Sequence, residues 1–217
     1  MAELFSKDNV LFMLDGLRLT IVIAVATIIL SIIFGTILAL VKSYCTKGPL
    51  KLLAILATCY IELFRCTPNV LWILMLRFSI KGNPTVIGIF TFTLFTSAVV
   101  AEIVRGGLNS IPKGQFEGAA SQGFHFIQIL IYIILPQTYK VIVPALLSQC
   151  TTIIKDTSFL KAVDIHEFMR NSSIVLATAR GIGQICALYG FVLLTYFVLN
   201  FALSIVVRQY HKRIAFE

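Results

Sequence analysis

The sequence predicts an all-α, polytopic membrane protein with five transmembrane helices, and three observations carry that expectation. Of the 217 residues, 58% are hydrophobic and only 13% are charged, with a mean hydropathy of +0.92, whereas soluble domains carry roughly 25% charged residues. Apolar runs long enough to cross about 30 Å of hydrocarbon recur along the chain, and a bilayer admits only elements that satisfy their own backbone. The basic residues behind the net charge of +8 gather in short loops beside those runs, where they act as topology determinants and anionic-lipid contacts rather than as a nucleic-acid surface.

The N-terminal stretch 1–15 sets Glu3, Asp8 and Asp15 against Lys7, without the basic start of a cleaved signal peptide, so the first apolar run is expected to be retained. Spans are predicted at 17–41, 52–76 and 86–104. The apolar material from 126 to 154 holds Pro136, Gln137, Lys140 and Pro144 in its middle. The run 126–135 is too short to cross, so it is assigned to an interfacial helix, with the fourth span at 141–163. The fifth span is 185–207. The loop with Lys42, Lys47 and Lys51, the tail with Arg208, Lys212 and Arg213 against Glu217, and the segment 105–140 with Arg105, Lys113 and Lys140 fall on one side. By the positive-inside rule that side is the cytoplasm, with the N-terminus outside. The outer segments mix Arg77 and Lys81, or Lys161, Arg170 and Arg180 with Asp164 and Glu167. The whole chain, 1–217, reads as one membrane domain.

Several functions are excluded on this reading. Cys45, Cys59, Cys66, Cys150 and Cys186 lack metal-ligand spacing and lie mostly in apolar runs, so neither a disulfide nor a metal site is expected. His125, His166 and His211 are scattered and form no proton relay. There is no Ser/His/Asp set and no G-x-x-x-x-G-K-[ST] phosphate loop, so the chain itself supplies no ATP chemistry.

The segment 114–136 stands out among these runs. Ile111-Pro112-Lys113-Gly114 is a turn, and Gln115 to Gln122 form a two-turn helix stopped by Gly123. Gly118, Ala119, Ala120 and Gly123 would let another protein's backbone come close; a plain surface helix is the competing reading. Within the spans, Glu62 and Arg65 lie one turn apart and can pair, just before Thr67-Pro68, where a proline loosens the helix. They are either the wall of a polar pathway or a structural lock. Lys155-Asp156-Thr157-Ser158 offers acceptors and donors for a zwitterion, or else a self-neutralised polar cluster. Glu102 and Arg105, again one turn apart, read as an anchor or as a gate.

The string Glu117-Gly118-Ala119-Ala120, then Gly123, then Ile134-Leu135-Pro136 resembles the Glu-Ala-Ala loop of binding-protein-dependent ABC importer permeases. Gly16-Leu17 with Thr20, Glu62-Leu63-Phe64-Arg65 with Thr67-Pro68, Ala101-Glu102-Ile103-Val104-Arg105-Gly106-Gly107, and Lys155-Asp156-Thr157-Ser158 look like its polar amino acid uptake branch. Gly118, Cys66 and Val99 stand where that family usually has Ala, Gly and Tyr. The resemblance implies the ABC type I importer permease fold in a bacterial cell membrane. It implies a coupling helix comprising Gly114, Gln115, Glu117, Gly118, Ala119, Ala120 and Gly123, docked on a separate dimer of ATP-binding subunits that holds ATP and Mg. A second permease subunit, identical or paralogous, and a separate external solute-binding protein complete the assembly. The cargo it implies is a polar amino acid, glutamine or glutamate first. Alternatives are an ion-coupled secondary transporter and an ABC permease for another small polar solute such as cystine.

Overall fold

The computed structural model describes residues 4–214 and contains only helices and their connections among them. Glu3 and Glu217, and the side chains of Arg208, His211, Lys212 and Arg213, lie outside the described residues.

Helix α1 runs Lys7–Tyr44, longer at both ends than the 17–41 expected from hydropathy, because the Ser6 hydroxyl accepts from Asn9 N (3.3 Å) and Asp8 sits in the first turn, where an acid complements the helix dipole. Its buried face is Met13, Gly16, Thr20, Ile23, Thr27, Ser31, Gly35 and Ala39, while Ile21, Val25, Ile29, Ile33 and Ile37 point outward. Small and polar residues inside and large apolar ones outside is the pattern of a lipid-bathed helix that packs by close backbone approach. At Gly35 an added Cβ would meet Val100 Cγ1 at 2.7 Å and the Ser97 carbonyl at 2.9 Å, so this contact requires glycine.

The expected second span is split into α2, Lys51–Cys66, and α3, Asn69–Ser79, neither long enough to cross alone. Thr67 and Pro68 between them are both extended. Proline removes the donor that would continue the ladder, and the Thr67 hydroxyl fills the gap by donating to Leu63 O (2.5 Å) and accepting from Trp72 Nε1 (2.7 Å). Helix α4, Pro84–Ser110, opens with Asn83 accepting from Thr85 N (2.9 Å) and Pro84 in its first turn. It is the most buried of the long apolar helices among the described residues and packs against α1, α2, α3 and the later helix Leu135–Asp156.

Two short elements follow: α5, Lys113–Ser121, and α6, Phe126–Gln128. The expectation of a separate interfacial helix at 126–135 is overturned here. A π turn at Ile129–Ile134, closed by Leu135 N donating to Leu130 O, joins α6 to α7, Leu135–Asp156, and the continuous apolar helix covers Phe126–Val163. The wide turn changes the hydrogen-bond register just before Pro136, so a proline that would end an α-helix is absorbed as a bulge. A 3₁₀ stretch, Thr157–Val163, a half-length helix α8, Phe168–Leu176, and the long α9, Ile182–Ile214, complete the chain. Among the described residues, four helices are thus individually long and apolar enough to cross a membrane.

Candidate functional site

Helix α5 is built to stand out from the bundle. Its N-cap is Pro112, and it ends at Gly123, whose φ of 86° is the left-handed geometry glycine favours. Gly114, Gln115, Glu117, Gly118 and Ala120 are exposed, and a Cβ placed on Gly114, Gly118 or Gly123 would meet nothing within 4 Å. Ala119 is the exception to the expected coupling surface. It is 7% exposed, because Phe116 and Ala119, one turn apart, form the helix's apolar foot. Ala119 packs into the core of Val104, Leu108, Ile129, Leu130 and Ile134, with Phe116 against it. Tyr44, Phe116 and Phe126 meet as an aromatic trio with centroids 5.3 to 6.0 Å apart. Gln137 Nε2 donates to Gln115 Oε1 (3.2 Å). Through these contacts α5 is fastened to the end of α1 and to both sides of the π turn.

A charged cluster lies where α1, α2 and α4 meet. Glu102 accepts from Lys42 Nζ (2.8 Å) and from Arg105 Nη2 and Nε (2.8 and 3.0 Å), and Arg65 Nη1 is 4.0 Å away. Lys42 Nζ also lies 4.0 Å from Glu62 Oε1. The expected pairing of Glu102 with Arg105 is present, whereas Glu62 and Arg65 turn to α1 and α4 and not to each other. Their own helix is loosened beside them at Thr67-Pro68, and two partners of opposite charge stand on the neighbouring helices. Among the described residues, three cations face two carboxylates here, so one positive charge is in surplus. Glu62 and Arg65 are the open members, with side chains 53% and 41% exposed. Thr67, a candidate for the pathway, bridges the helix break through its hydroxyl.

The second expected group sits at the end of α7. Lys155 is exposed and Asp156 and Ser158 are partly buried, but Thr157 is fully buried and donates to Ile154 O (2.8 Å). Thr157 is thus packed at the helix end. No hydrogen bond or ion pair among the described residues joins this group to the charged cluster.

A profile of the family described as "Binding-protein-dependent transport system inner membrane component" matches residues 31–216. The chain belongs to this family. Among its relatives, the inner membrane component is 32% identical over 214 residues to the "Probable glutamine ABC transporter permease protein GlnP" of Bacillus subtilis, covering 96% of each chain. It is 29% identical over 217 residues to the "Glutamate/aspartate import permease protein GltK" of Escherichia coli O157:H7, covering 94% of each. It is 30% identical to the "L-cystine transport system permease protein TcyB" of B. subtilis, over 86% of this chain and 81% of that one. The fold matches a chain of an amino acid ABC transporter crystallised with histidines, with a TM-score of 0.78 at 24% identity over 93% of this chain and 94% of that chain. It also matches one of the inward-facing MetNI methionine ABC transporter, with a TM-score of 0.76 at 18% identity over 95% and 99%. The type I importer permease fold expected from the resemblance is thus the fold of this component.

Two charged residues were not legible in the sequence as members of internal contacts. Lys42 reads there as a loop charge, but it occupies the last turn of α1 and turns inward to Glu102; its spacing from the apolar run carries no signal of that. Glu167 reads as one of several mixed outer charges, yet it is fully buried at the N-cap of α8, accepting from Met169 N (2.9 Å) and Arg170 N (2.6 Å). Burial pushes its carboxyl up to about 7, against the pull of those two amides. An acid directly before the amphipathic stretch 168–176 was the available signal. Nearby, Arg170 Nε bonds Asp164 Oδ1 (2.5 Å) and holds that exposed carboxyl below its usual range.

Proposed function

We propose that this chain is the transmembrane permease subunit of an ATP-driven ABC importer for a polar amino acid, with glutamine or glutamate as cargo. The observation that carries the coupling half of this reading is α5 with its terminating turn: six exposed positions, Gly114, Gln115, Glu117, Gly118, Ala120 and Gly123, three of them glycines with open space around them, beside a helix foot packed into the transmembrane core. A partner seated on Gly114, Gln115, Glu117, Gly118, Ala120 and Gly123 would push directly on α1, α4 and the π turn. That partner is a dimer of separate ATP-binding subunits, which bind ATP and Mg. Closure of that dimer moves α5, and two permease subunits open together toward a loaded external binding protein. The side bearing α5 is the cytoplasm, so the N-terminus lies outside.

The cargo assignment rests on the names of the relatives and on charge. An amino acid brings one carboxylate and one ammonium. Arg65 and the surplus positive charge beside it suit the first, and the exposed Glu62 suits the second. Asp156 and Ser158 at the outer end of α7 supply further polar contact along the path.

The test is uptake of labelled glutamine and glutamate by proteoliposomes holding this chain, its ATP-binding partner and its binding protein. Uptake should need internal ATP and the binding protein, and should survive a proton and sodium ionophore. Uptake that collapses with the ionophore and persists without ATP supports an ion-coupled secondary transporter instead. Preference for cystine over both amino acids moves the cargo and leaves the class intact.

A further inference from the structure

Glu167 takes no part in the coupling surface or in the charged cluster, yet among the described residues it is the one acid that is fully buried. It stands where three helices meet. On α1, Thr20 Oγ1 donates to Glu167 Oε2 (3.4 Å) and accepts from Phe168 N (3.2 Å). On α9, the Tyr196 hydroxyl reaches the same oxygen at 3.4 Å, and its ring meets Phe168 edge-on at 5.5 Å. Gly16 lets the main chain of Glu167 close on α1, since a Cβ there would lie 2.9 Å from the Glu167 carbonyl, and Asn171 Nδ2 donates to Phe12 O (2.8 Å).

No cation answers this carboxyl among the described residues. The Arg170 side chain is turned to Asp164. His166, Lys161, Asp15 and Arg18 are exposed, so Thr20 faces it from α1 and Tyr196 from α9. Taking an unpaired carboxylate out of water is costly unless hydrogen bonds or a proton offset it. The two short bonds, from Met169 and Arg170, lie within its own helix turn and travel with α8 if it moves. The bonds to α1 and α9 are the long ones. A proton on Oε2 would donate to the Thr20 oxygen and remove the desolvation cost, so the seated helix favours the protonated form and a hydrated one favours the ion.

We propose that Glu167 is a positioning residue that latches α8 into the corner between α1 and α9 when it holds a proton, and that α8 leaves this corner as Glu167 ionises. The proton passes to water and returns when the helix reseats; the hydrogen bonds to α1 and α9 open and re-form, and no other covalent bond changes. This inference rests on the reading of the chain as an importer permease with residues 164–183 on the outer side. In that setting the latch is a proton-sensitive step in opening the outer face. The seated carboxyl lies at about 7, against 4.5 for a free one. The seated state therefore binds more protons between those values. It is favoured below the window and loses ground as pH rises through it, levelling off above 7. Between pH 5.5 and 8.5 the opening equilibrium should rise about 30-fold.

Ser172 reports this motion. It is 3% exposed on α8 and its hydroxyl donates to the Phe168 carbonyl, so Ser172→Cys keeps its shape and meets reagent when α8 lifts. Thr178→Cys, at an exposed position, corrects for the pH dependence of the thiol. With the five native cysteines replaced, the full chain in membrane vesicles is treated with a membrane-impermeant maleimide from the outer side. The ratio of the two labelling rates should climb about 30-fold from pH 5.5 to 8.5, and Glu167→Gln should flatten it. A flat ratio with Glu167 present overturns the proposal whether or not the Gln variant folds, and so does an unchanged slope in that variant. The measurement needs no ATP and no uptake, so it can fail while transport succeeds. If Thr178→Cys is labelled only from the opposite side, the orientation falls, and the pH profile read from that side still decides the latch.

Discussion

Replacing Glu102 by Gln should destabilise this protein by about 2 kcal/mol. Its side chain is only 17% exposed and is the shared partner of three cations, at 2.8, 2.8 and 4.0 Å. Removing one member of a buried pair costs about 3 to 5 kcal/mol, because the charge left behind stays desolvated. That figure is an upper bound here, since Arg65 and Arg105 are 41% and 37% exposed and can turn to water. Lys42, 20% exposed, has less room to turn and keeps Glu62 only at 4.0 Å. For a chain of this size about 2 kcal/mol lowers Tm by roughly 4 to 8 °C, measurable by thermal unfolding in detergent. Lys42→Met in the Glu102→Gln background should recover part of the loss, with a coupling of about 1 kcal/mol in a double-mutant cycle. A Tm unchanged within about 1 °C together with zero coupling would refute the argument. The cluster would then be solvated in the way an exposed surface pair is.

Three further outcomes follow from single contacts. Gly118→Leu adds a large side chain into open space on α5; Tm should hold, while ATP-dependent uptake and partner-stimulated hydrolysis should fall by tenfold or more through a blocked docking face. Gly16→Ala drives a Cβ to within 2.9 Å of the Glu167 carbonyl and 2.8 Å of Asn171 Nδ2, so stability should drop by about 1 to 3 kcal/mol. Thr67→Val strips Trp72 of its acceptor and Leu63 O of its donor. Unfolding free energy should fall by about 1 kcal/mol, and the emission of Trp72, the chain's only tryptophan, should shift.

Much of the site was legible because each motif is short and local. Pro112 and Gly123 bracket α5 in the sequence as they do in space, and the Glu102–Arg105 pair follows from helix period alone. The sequence reads 126–135 as a separate helix for an equally local reason, whereas the structure runs it on into α7. Pro136 is a strong stop signal in an α-helix, and nothing in the sequence distinguishes a stop from a π turn that shifts the register ahead of the proline. Ala119 sat among residues whose small size suggested exposure, but which side of a nine-residue helix is its foot depends on where Ile129 and Leu130 return.

Composition, the spacing of apolar runs and the loop charges by themselves determined that this chain is a multi-pass helical membrane protein. Those properties depend on transfer from water and on neighbours in sequence. The tertiary structure alone decided which charge answers which, and that among the described residues no cation answers the buried Glu167. Lys42, Glu62 and Glu102 come from three helices, and Thr20, Glu167 and Tyr196 are brought together over 147 and 29 residues of separation. Side-chain electrostatics falls off over a few ångströms of space, and only packing sets which residues share those few ångströms.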